Sequence, residues 1–411
     1  MSANLPLHTQ VAEFEVRDAC LCVAGTKITD IAAELQTSPF YVYDSQLIER
    51  RIRHLRKALP AGISLHYAIK ANPMPAVVQQ ISRHVDGLDV ASSGELEVAL
   101  STACKVADIS FAGPGKSVAE LEAAVAVGIT VNIESATELE RLGTIANACG
   151  ARPRLAVRVN PDFELKSSGM KMSGGPKQFG IDAEQVPDIL ERIKGMPVEF
   201  VGFHIFSGSQ NLRPEAICEA QRKALDLALE LARHAPNAPR TINIGGGFGI
   251  PYFPGDQPLD LAPIADNLTA LLATAEEKLP GVELVLELGR YLVGEAGLYI
   301  CTVTDRKISR GQVFLVTDGG LHHHLAASGN FGQVIRKNYP VAIANKMGST
   351  ALEVASVVGP LCTPLDLLAD RMELARAEIG DLVAVFQSGA YGFTASPHKF
   401  LGHPPPQEIL R

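Results

Sequence analysis

The feature that most constrains this chain is a rhythm. Apolar, β-rich runs recur at Ile63–Ile69, Leu88–Ala91, Ile109–Ala112, Thr130–Ile133, Leu155–Val159, Phe200–Phe206, Thr241–Ile244 and Leu284–Leu286, with helical patterns such as Ala119–Ala126, Ala183–Lys194 and Glu215–His234 between them. Eight strands alternating with helices over about 230 residues match the size and count of a (β/α)8 barrel. After Gly294 the rhythm stops. Short runs at Tyr299–Val303, Val313–Val316, Glu353–Val358 and Leu382–Phe386 predict a mostly antiparallel β domain, joined by the N-terminal runs Cys20–Ala24 and Phe40–Tyr43. The expected class is α/β. A TIM-like barrel spans 44–293, opened by Asp44-Ser45 capping a helical pattern through Leu59, and a β domain is built from 1–43 and 294–411.

With 411 residues, 46% of them apolar, the chain can bury a core of this size. Its net charge of −8 is spread with both signs interspersed, which argues against nucleic acid or an anionic membrane as the main partner. The seven cysteines are odd in number and scattered, and Cys20-x-Cys22 has no second pair to complete a zinc site. Free thiols in a reducing cytoplasm are expected. No signal-peptide pattern and no 18-residue apolar run occurs, so neither export nor a membrane span is expected.

A barrel collects its chemistry at the C-terminal ends of its strands. Those ends carry Lys70, Asp89 with Ser92-Ser93, Arg158 with Asn160, His204 with Ser207-Gly-Ser209, Gly245-Gly-Gly-Phe-Gly249 and Glu287-Leu-Gly-Arg290. A lysine closing the first strand, partly desolvated, has an amine free to attack a carbonyl; a surface lysine capping a strand is the plainer alternative. The glycine cluster follows the seventh run, where barrels commonly bind phosphate through backbone N–H groups. It is not a dinucleotide fingerprint, because Ile250 stands where the third glycine is required. An amine on strand one and a phosphate cradle after strand seven together suggest a phosphorylated aldehyde cofactor.

The chain resembles the fold-type III pyridoxal-phosphate decarboxylases, the group of diaminopimelate, ornithine and arginine decarboxylases. The resemblance rests on Tyr67-Ala-Ile-Lys70-Ala-Asn, Asp89-Val-Ala-Ser-Ser-Gly-Glu95-Leu, Gly202-Phe-His204 through Ser207-Gly-Ser209-Gln210, Gly245-Gly-Gly247, Glu287-x-Gly-Arg290, Val358-Gly-Pro-x-Cys362 and Gly389-Ala-Tyr391-Gly. It implies a barrel plus β domain, a homodimer with active sites at the subunit interface, and pyridoxal phosphate as cofactor. Lys70 is then the Schiff-base lysine, His204 stacks on the cofactor ring, and Glu287 faces its pyridine nitrogen. Ser209, Gly247, Arg290 and Tyr391 match phosphate-site positions, and Asp89, Arg158, Gly246 and Gly289 complete the cofactor contacts, Arg158 toward the phenolate oxygen. Cys362 matches the proton donor delivered from the partner subunit, while Arg290, Thr363, Asp366 and Tyr391 match substrate-side positions. The physical chemistry agrees: a carboxylate keeps the pyridine nitrogen protonated, and a thiol of suitable pKa returns a proton to the carbon that loses CO2. Glutamate at position 287 also argues for decarboxylation over racemisation, since alanine racemases place an arginine there. Non-catalytic carriers of the cofactor lack the second domain that supplies Cys362 and Tyr391.

Substrate choice is where the chain departs from that group. Diaminopimelate decarboxylases follow the cysteine with an acidic residue and ornithine decarboxylases with an aspartate, and that acid binds the distal ammonium; this chain reads Cys362-Thr-Pro-Leu-Asp366. Phe206 stands for the usual second histidine and Leu288 for the usual proline, and Asp318-Gly-Gly leads into Leu321-His-His-His324. These departures resemble a divergent branch that includes decarboxylases of carrier-protein-tethered aminoacyl groups and members encoded with exopolysaccharide and protein-sorting systems. The expected reaction is α-decarboxylation of an amino acid or aminoacyl group without a free distal ammonium, such as a carrier-bound glutamyl group. Diaminopimelate decarboxylation is the alternative within the class, and a non-catalytic regulatory homologue the alternative outside it. Neighbouring strand side chains diverge, so His322 to His324 are not expected to converge on one metal; they line the substrate mouth or are simply exposed. Arg336-Lys337 is expected to be an exposed basic pair, Cys20 and Cys22 small apolar strand residues, and Pro404–Pro406 a terminator of structure.

Overall fold

The computed structural model describes residues 8, 13–163, 170–171 and 174–411. The chain divides into two units, one of Arg51–Gly249 and Leu259–Gly289, the other of Met1–Arg50, Ile250–Pro258 and Arg290–Arg411.

The first unit is the barrel. Its strands are β1 Ile63–Ala68, β2 Gly87–Val90, β3 Ile109–Phe111, β4 Thr130–Ile133, β5 Arg154–Asn160, β6 Glu199–His204, β7 Thr241–Gly246 and β8 Glu283–Leu288. All pair in parallel, β8 returns to β1, and β4 pairs with β5 to close the ring. Strands covered on both faces read as near-continuous apolar runs, which is why all eight stand where the sequence predicts them. Along β1, Leu65 and Tyr67 alternate with His66 and Ala68, so the two pairs face opposite sides of the wall. The strand then tightens into a single 3-10 turn, Ile69–Ala71, and Lys70 sits in that turn rather than on the strand. Tyr67 anchors it by donating to Asn72 O at 2.9 Å. The Asp89-to-Glu95 motif has a structural reason too. Ser92 caps the helix Ser93–Leu100 by accepting from Glu95 N, and Glu95 reaches back to Ala91 N at 2.7 Å.

The second unit carries β9 Gly297–Ser309, β10 Gln312–Thr317, β11 Val341–Ile343, β12 Leu352–Val358, β13 Leu367–Ala375 and β14 Leu382–Val385. They lie in the order β11-β14-β9-β10-β12-β13, antiparallel except for β10 against β12. The strand Phe40–Tyr43 pairs with β9 and, on its other edge, with Gln407–Leu410. Three segments expected in the barrel fall in this unit instead, 44–50, 250–258 and 290–293, the last two for packing reasons. Tyr252 stacks on Tyr339 with ring centres 4.7 Å apart, Gln387 donates to Pro251 O, and Arg290 lies over Tyr252 and Tyr391. Pro404–Pro406 does not end the structure, since the strand Gln407–Leu410 follows it. Cys20 and Cys22 are buried strand residues with free thiols, as expected. Among the described residues no helix is long and apolar enough to cross a membrane.

Candidate active site

In the barrel unit three strand ends converge on one carboxylate. Glu287, near the end of β8 and 4% exposed, receives His204 Nε2 at 3.1 Å and Asn243 Nδ2 at 3.4 Å on one oxygen, with Lys70 Nζ 3.5 Å from the other. Burial pushes the Glu287 carboxyl up, but the Lys70 charge, the His204 hydrogen bond and charge, and Arg158 outweigh it and hold the group far below the usual carboxylate range. An anion is therefore fixed between an amine and an imidazole. His204 is itself buried, and its Nδ1 has no hydrogen-bond partner among the described residues.

The turn after β7 approaches its neighbours at backbone distance. Gly247 has φ +71°, and a Cβ there would collide with Gly208 O; one at Gly246 would collide with Glu287 O. Gly289 packs against the lysine turn, where a Cβ would stand 2.8 Å from Ala71 Cβ. Ser209 is half-buried beside this turn, on a strand pair with Met170. These features suit a phosphorylated aromatic aldehyde: a partly exposed amine for the aldehyde, a buried anion for the ring nitrogen, an unpartnered imidazole nitrogen, and a side-chain-free cradle for the phosphate.

Two expected cofactor residues are committed elsewhere. Arg158 is buried and donates to Glu134 at 2.7 Å, and Glu134 also takes Gly113 N and Gly180 N. Asp89 is turned into the barrel, where Oδ1 is shared by His66 and Ser110. In both cases the partner of a buried charge comes from a neighbouring strand or its end. Asn243 and His66 escaped sequence reading, although alternation back from Gly245 and from Ala68 puts both on the inner wall.

In the β unit, Arg290 donates to Tyr252 at 2.8 Å and its guanidinium lies 4.6 Å from the ring centre of Tyr391, while Nε is buried without a partner among the described residues. Tyr391 itself has φ +55°, a left-handed conformation that side chains rarely adopt and that gathers at functional sites. Cys362 is exposed and Thr363 half-buried. Asp366, expected at the substrate, is instead a structural anchor. It is 3% exposed and accepts from Leu321 N at 2.6 Å and Leu361 N at 2.8 Å, because the glycines at 320 and 359 let its carboxylate lie against the backbone.

His322, His323 and His324 form a tight turn rather than a strand, and all three are buried, which removes simple exposure as their role. His323 contacts Pro404 O, His324 contacts Ser388, and His322 stacks on His323 with ring centres 3.7 Å apart. Arg336 is not an exposed partner of Lys337 either: it is half-buried and donates to Ser328 O, Asn338 and Leu367 O.

Comparison with known proteins agrees with this geometry. The family model described as "Pyridoxal-dependent decarboxylase, pyridoxal binding domain" matches residues 45–294. The L-glutamyl-[BtrI acyl-carrier protein] decarboxylase of Niallia circulans is 37% identical over 391 residues, covering 94% of this chain and 91% of its own. The diaminopimelate decarboxylase of Aquifex aeolicus is 34% identical over 387 residues, covering 93% and 89%. A 2-[(L-alanin-3-ylcarbamoyl)methyl]-2-hydroxybutanedioate decarboxylase of Staphylococcus aureus is 30% identical over 395 residues, covering 93% and 96%. The crystal structure of diaminopimelate decarboxylase from M. jannaschii superposes with a TM-score of 0.88 at 26% identity, over 97% of this chain and 92% of that one. The chain therefore belongs to the fold-type III pyridoxal-phosphate-dependent decarboxylases, in the family of diaminopimelate and ornithine decarboxylases.

Proposed function

We propose that this enzyme decarboxylates an α-amino-acid group whose far end carries no free ammonium, such as a glutamyl group held on a carrier protein. The observation that carries the reading is the loop Leu361–Asp366. Thr363 is neutral, and both oxygens of Asp366 are occupied by the backbone amides of Leu321 and Leu361. A distal ammonium reaching this loop would find no free carboxylate and would lose a charge-assisted bond worth about 1.5–3 kcal/mol. The similarity to a glutamyl carrier-protein decarboxylase supports the same reading.

When bound, pyridoxal phosphate supplies the electron sink that accepts the pair left behind as CO2 departs. The Lys70 amine would hold the cofactor through its aldehyde, and the Glu287 carboxylate, kept anionic, would favour a proton on the pyridine nitrogen. His204 fixes Glu287 from one side and offers its ring to the cofactor. Gly246, Gly247 and Ser209 provide backbone for the phosphate, and Gly289 lets the Lys70 turn approach. Arg290 and Tyr391 serve the phosphate and substrate carboxylate. Cys362 holds the proton delivered to the reacting carbon, supplied by the other subunit of a homodimer. One CO2 leaves and one proton enters, so the amine nitrogen is retained.

CO2 release from protein reconstituted with pyridoxal phosphate tests this reading, with meso-diaminopimelate and a panel of free amino acids run beside a glutamyl-loaded carrier protein. Turnover of the carrier-bound substrate with a weak free panel is expected. Strong turnover of diaminopimelate would overturn the proposal in favour of lysine biosynthesis. Thr363→Glu separates the two further, since it should raise turnover of a free diamino acid only if this position sets the charge at the distal end.

A further inference from the structure

Barrel interiors are ordinarily filled by layers of branched apolar side chains. Here a polar chain runs across the wall beneath Lys70. His66 Nδ1 meets Asp89 Oδ1 at 3.2 Å, Ser110 donates to the same oxygen at 2.6 Å, and Asn132 donates to Ser110 at 2.9 Å. Gly87 makes room for the imidazole, because a Cβ there would collide with His66 Nε2. The second Asp89 oxygen is buried and has no hydrogen-bond partner among the described residues. Asp89 lines, with His66, Asn132 and Asn243, a cavity of about 90 Å³ of water-accessible space, room for several water molecules.

Register places this pair beside the reaction centre. His66 is opposite Glu287 on β8, and Asp89 is opposite Ala68, two residues before Lys70. The groups that face His66 from the surrounding elements are the carboxylates of Asp86, Asp89, Asp108, Glu283 and Glu287 against the cations Arg56, Lys105 and Arg154. Arg56 is taken by Asp86 at 2.6 Å, and burial pushes the Cys104 thiol up to about 11, so it stays neutral. The surround is thus acidic. Burial pushes His66 down, but the charge and hydrogen bond of Asp89, with Glu283 and Glu287, outweigh it and hold the imidazole above its ordinary value. A buried histidine–carboxylate pair is a poor stabiliser compared with apolar side chains of the same volume, so packing does not call for one here. Ionised groups beside a reaction centre do set its electrostatics.

We propose that His66 is a positioning residue of the reaction centre: it orients and neutralises the Asp89 carboxylate, and through that carboxylate sets the charge balance around Lys70 and Glu287. The inference rests on the reading of Lys70 as the cofactor lysine. With both members present, the centre faces an Asp89 charge offset by its imidazole partner at 3.2 Å. With His66 removed it faces a bare anion on the order of 10 Å away, enough to move the titration of the Lys70-bound cofactor by about one pH unit.

The test follows the absorbance band of the Lys70-bound cofactor, near about 420 nm, against pH in the reconstituted protein. Wild type is compared with His66→Phe, Asp89→Asn and the double variant. His66→Phe should raise the midpoint by about one unit, because an unbalanced anion favours the protonated form. Asp89→Asn should not raise it, and the double variant should return close to wild type. A structural role alone would not produce this crossed pattern. If His66→Phe fails to fold, His66→Gln, which keeps a donor for Asp89 but no charge, carries the same expectation. An unchanged midpoint in a folded His66 variant, or an equal rise in the double variant, overturns the proposal. Absence of the band in wild type overturns the lysine reading beneath it.

Discussion

Acidification is expected to weaken the β unit through its buried histidines. His322, His323 and His324 are 0%, 1% and 0% exposed. Burial is the largest influence on each ring and pushes them from 6.5 down to about 3, 4 and 3. The positive charges that His323, His403 and His398 would carry lower His322 further, and the Pro404 carbonyl resists the shift at His323. Their folded values lie below the unfolded value, so between pH 6.5 and about 4 the unfolded chain takes up protons that the folded chain refuses. Stability is therefore full above pH 6.5 and falls with pH. At pH 5 each ring has lost about 1.5 units' worth, or about 2 kcal/mol, and the three together about 6 kcal/mol. Asp318, Asp366 and Glu408 in the same unit are raised by burial and work the other way, binding protons in the folded state first. The net loss between pH 7 and pH 5 is therefore smaller than the about 6 kcal/mol of the three rings. His66 adds nothing to this loss, since a raised imidazole keeps its full contribution below pH 6.5. Depressed carboxylates such as Glu287 and Asp381 act only below their unfolded values, outside this window. Urea unfolding at the two pH values, followed by far-ultraviolet circular dichroism, measures the difference from midpoint and slope. His324→Phe gives up the Ser388 contact at both pH values but should flatten the pH dependence by the share of one ring, about 2 kcal/mol. Equal or greater stability at pH 5 in wild type would refute the reasoning.

Three further outcomes follow from the barrel unit. Glu287→Gln should leave the cofactor bound to Lys70, visible by absorbance, while turnover falls roughly 10²–10³-fold, because a neutral amide no longer holds the ring nitrogen's proton. Gly247→Ala places a Cβ against Gly208 O at φ +71°; a loss of about 2 kcal/mol in urea unfolding and at least a roughly tenfold weaker cofactor titration are expected. Lys116→Met strands Glu138, whose carboxylate is 2.6 Å from the Lys116 amine at 1% side-chain exposure. It should cost about 3–5 kcal/mol, with part recovered by adding Glu138→Gln.

What was legible in the sequence follows from what each element buries. The barrel strands announced themselves because both faces are covered, and Lys70, His204 and Glu287 meet because each stands at or just past a strand's end. β13 was not anticipated: its sequence Leu-Leu-Ala-Asp-Arg-Met-Glu-Leu-Ala carries three charges on a half-exposed edge, where apolar runs are interrupted. Gln407–Leu410 was hidden behind three prolines that read locally as a terminator. Asp89 and Asp366 could be recognised as polar residues near the right loops. Whether a carboxylate faces the mouth or the interior depends on which neighbours satisfy it, here Ser110 and His66 or two backbone amides, and that is decided by tertiary approach.

The pairing of Phe40–Tyr43 with both β9 and Gln407–Leu410 sets an order of assembly. At a synthesis rate of about 5–20 residues per second, the strand Phe40–Tyr43 waits tens of seconds for β9 and longer still for its second partner. The barrel strands are complete by Leu288, before either partner has been made. The emerging chain thus carries an unpaired Phe-Tyr-Val-Tyr edge, fully buried in the folded protein, past a finished barrel, the kind of segment that holding chaperones protect and that aggregates when synthesis stalls.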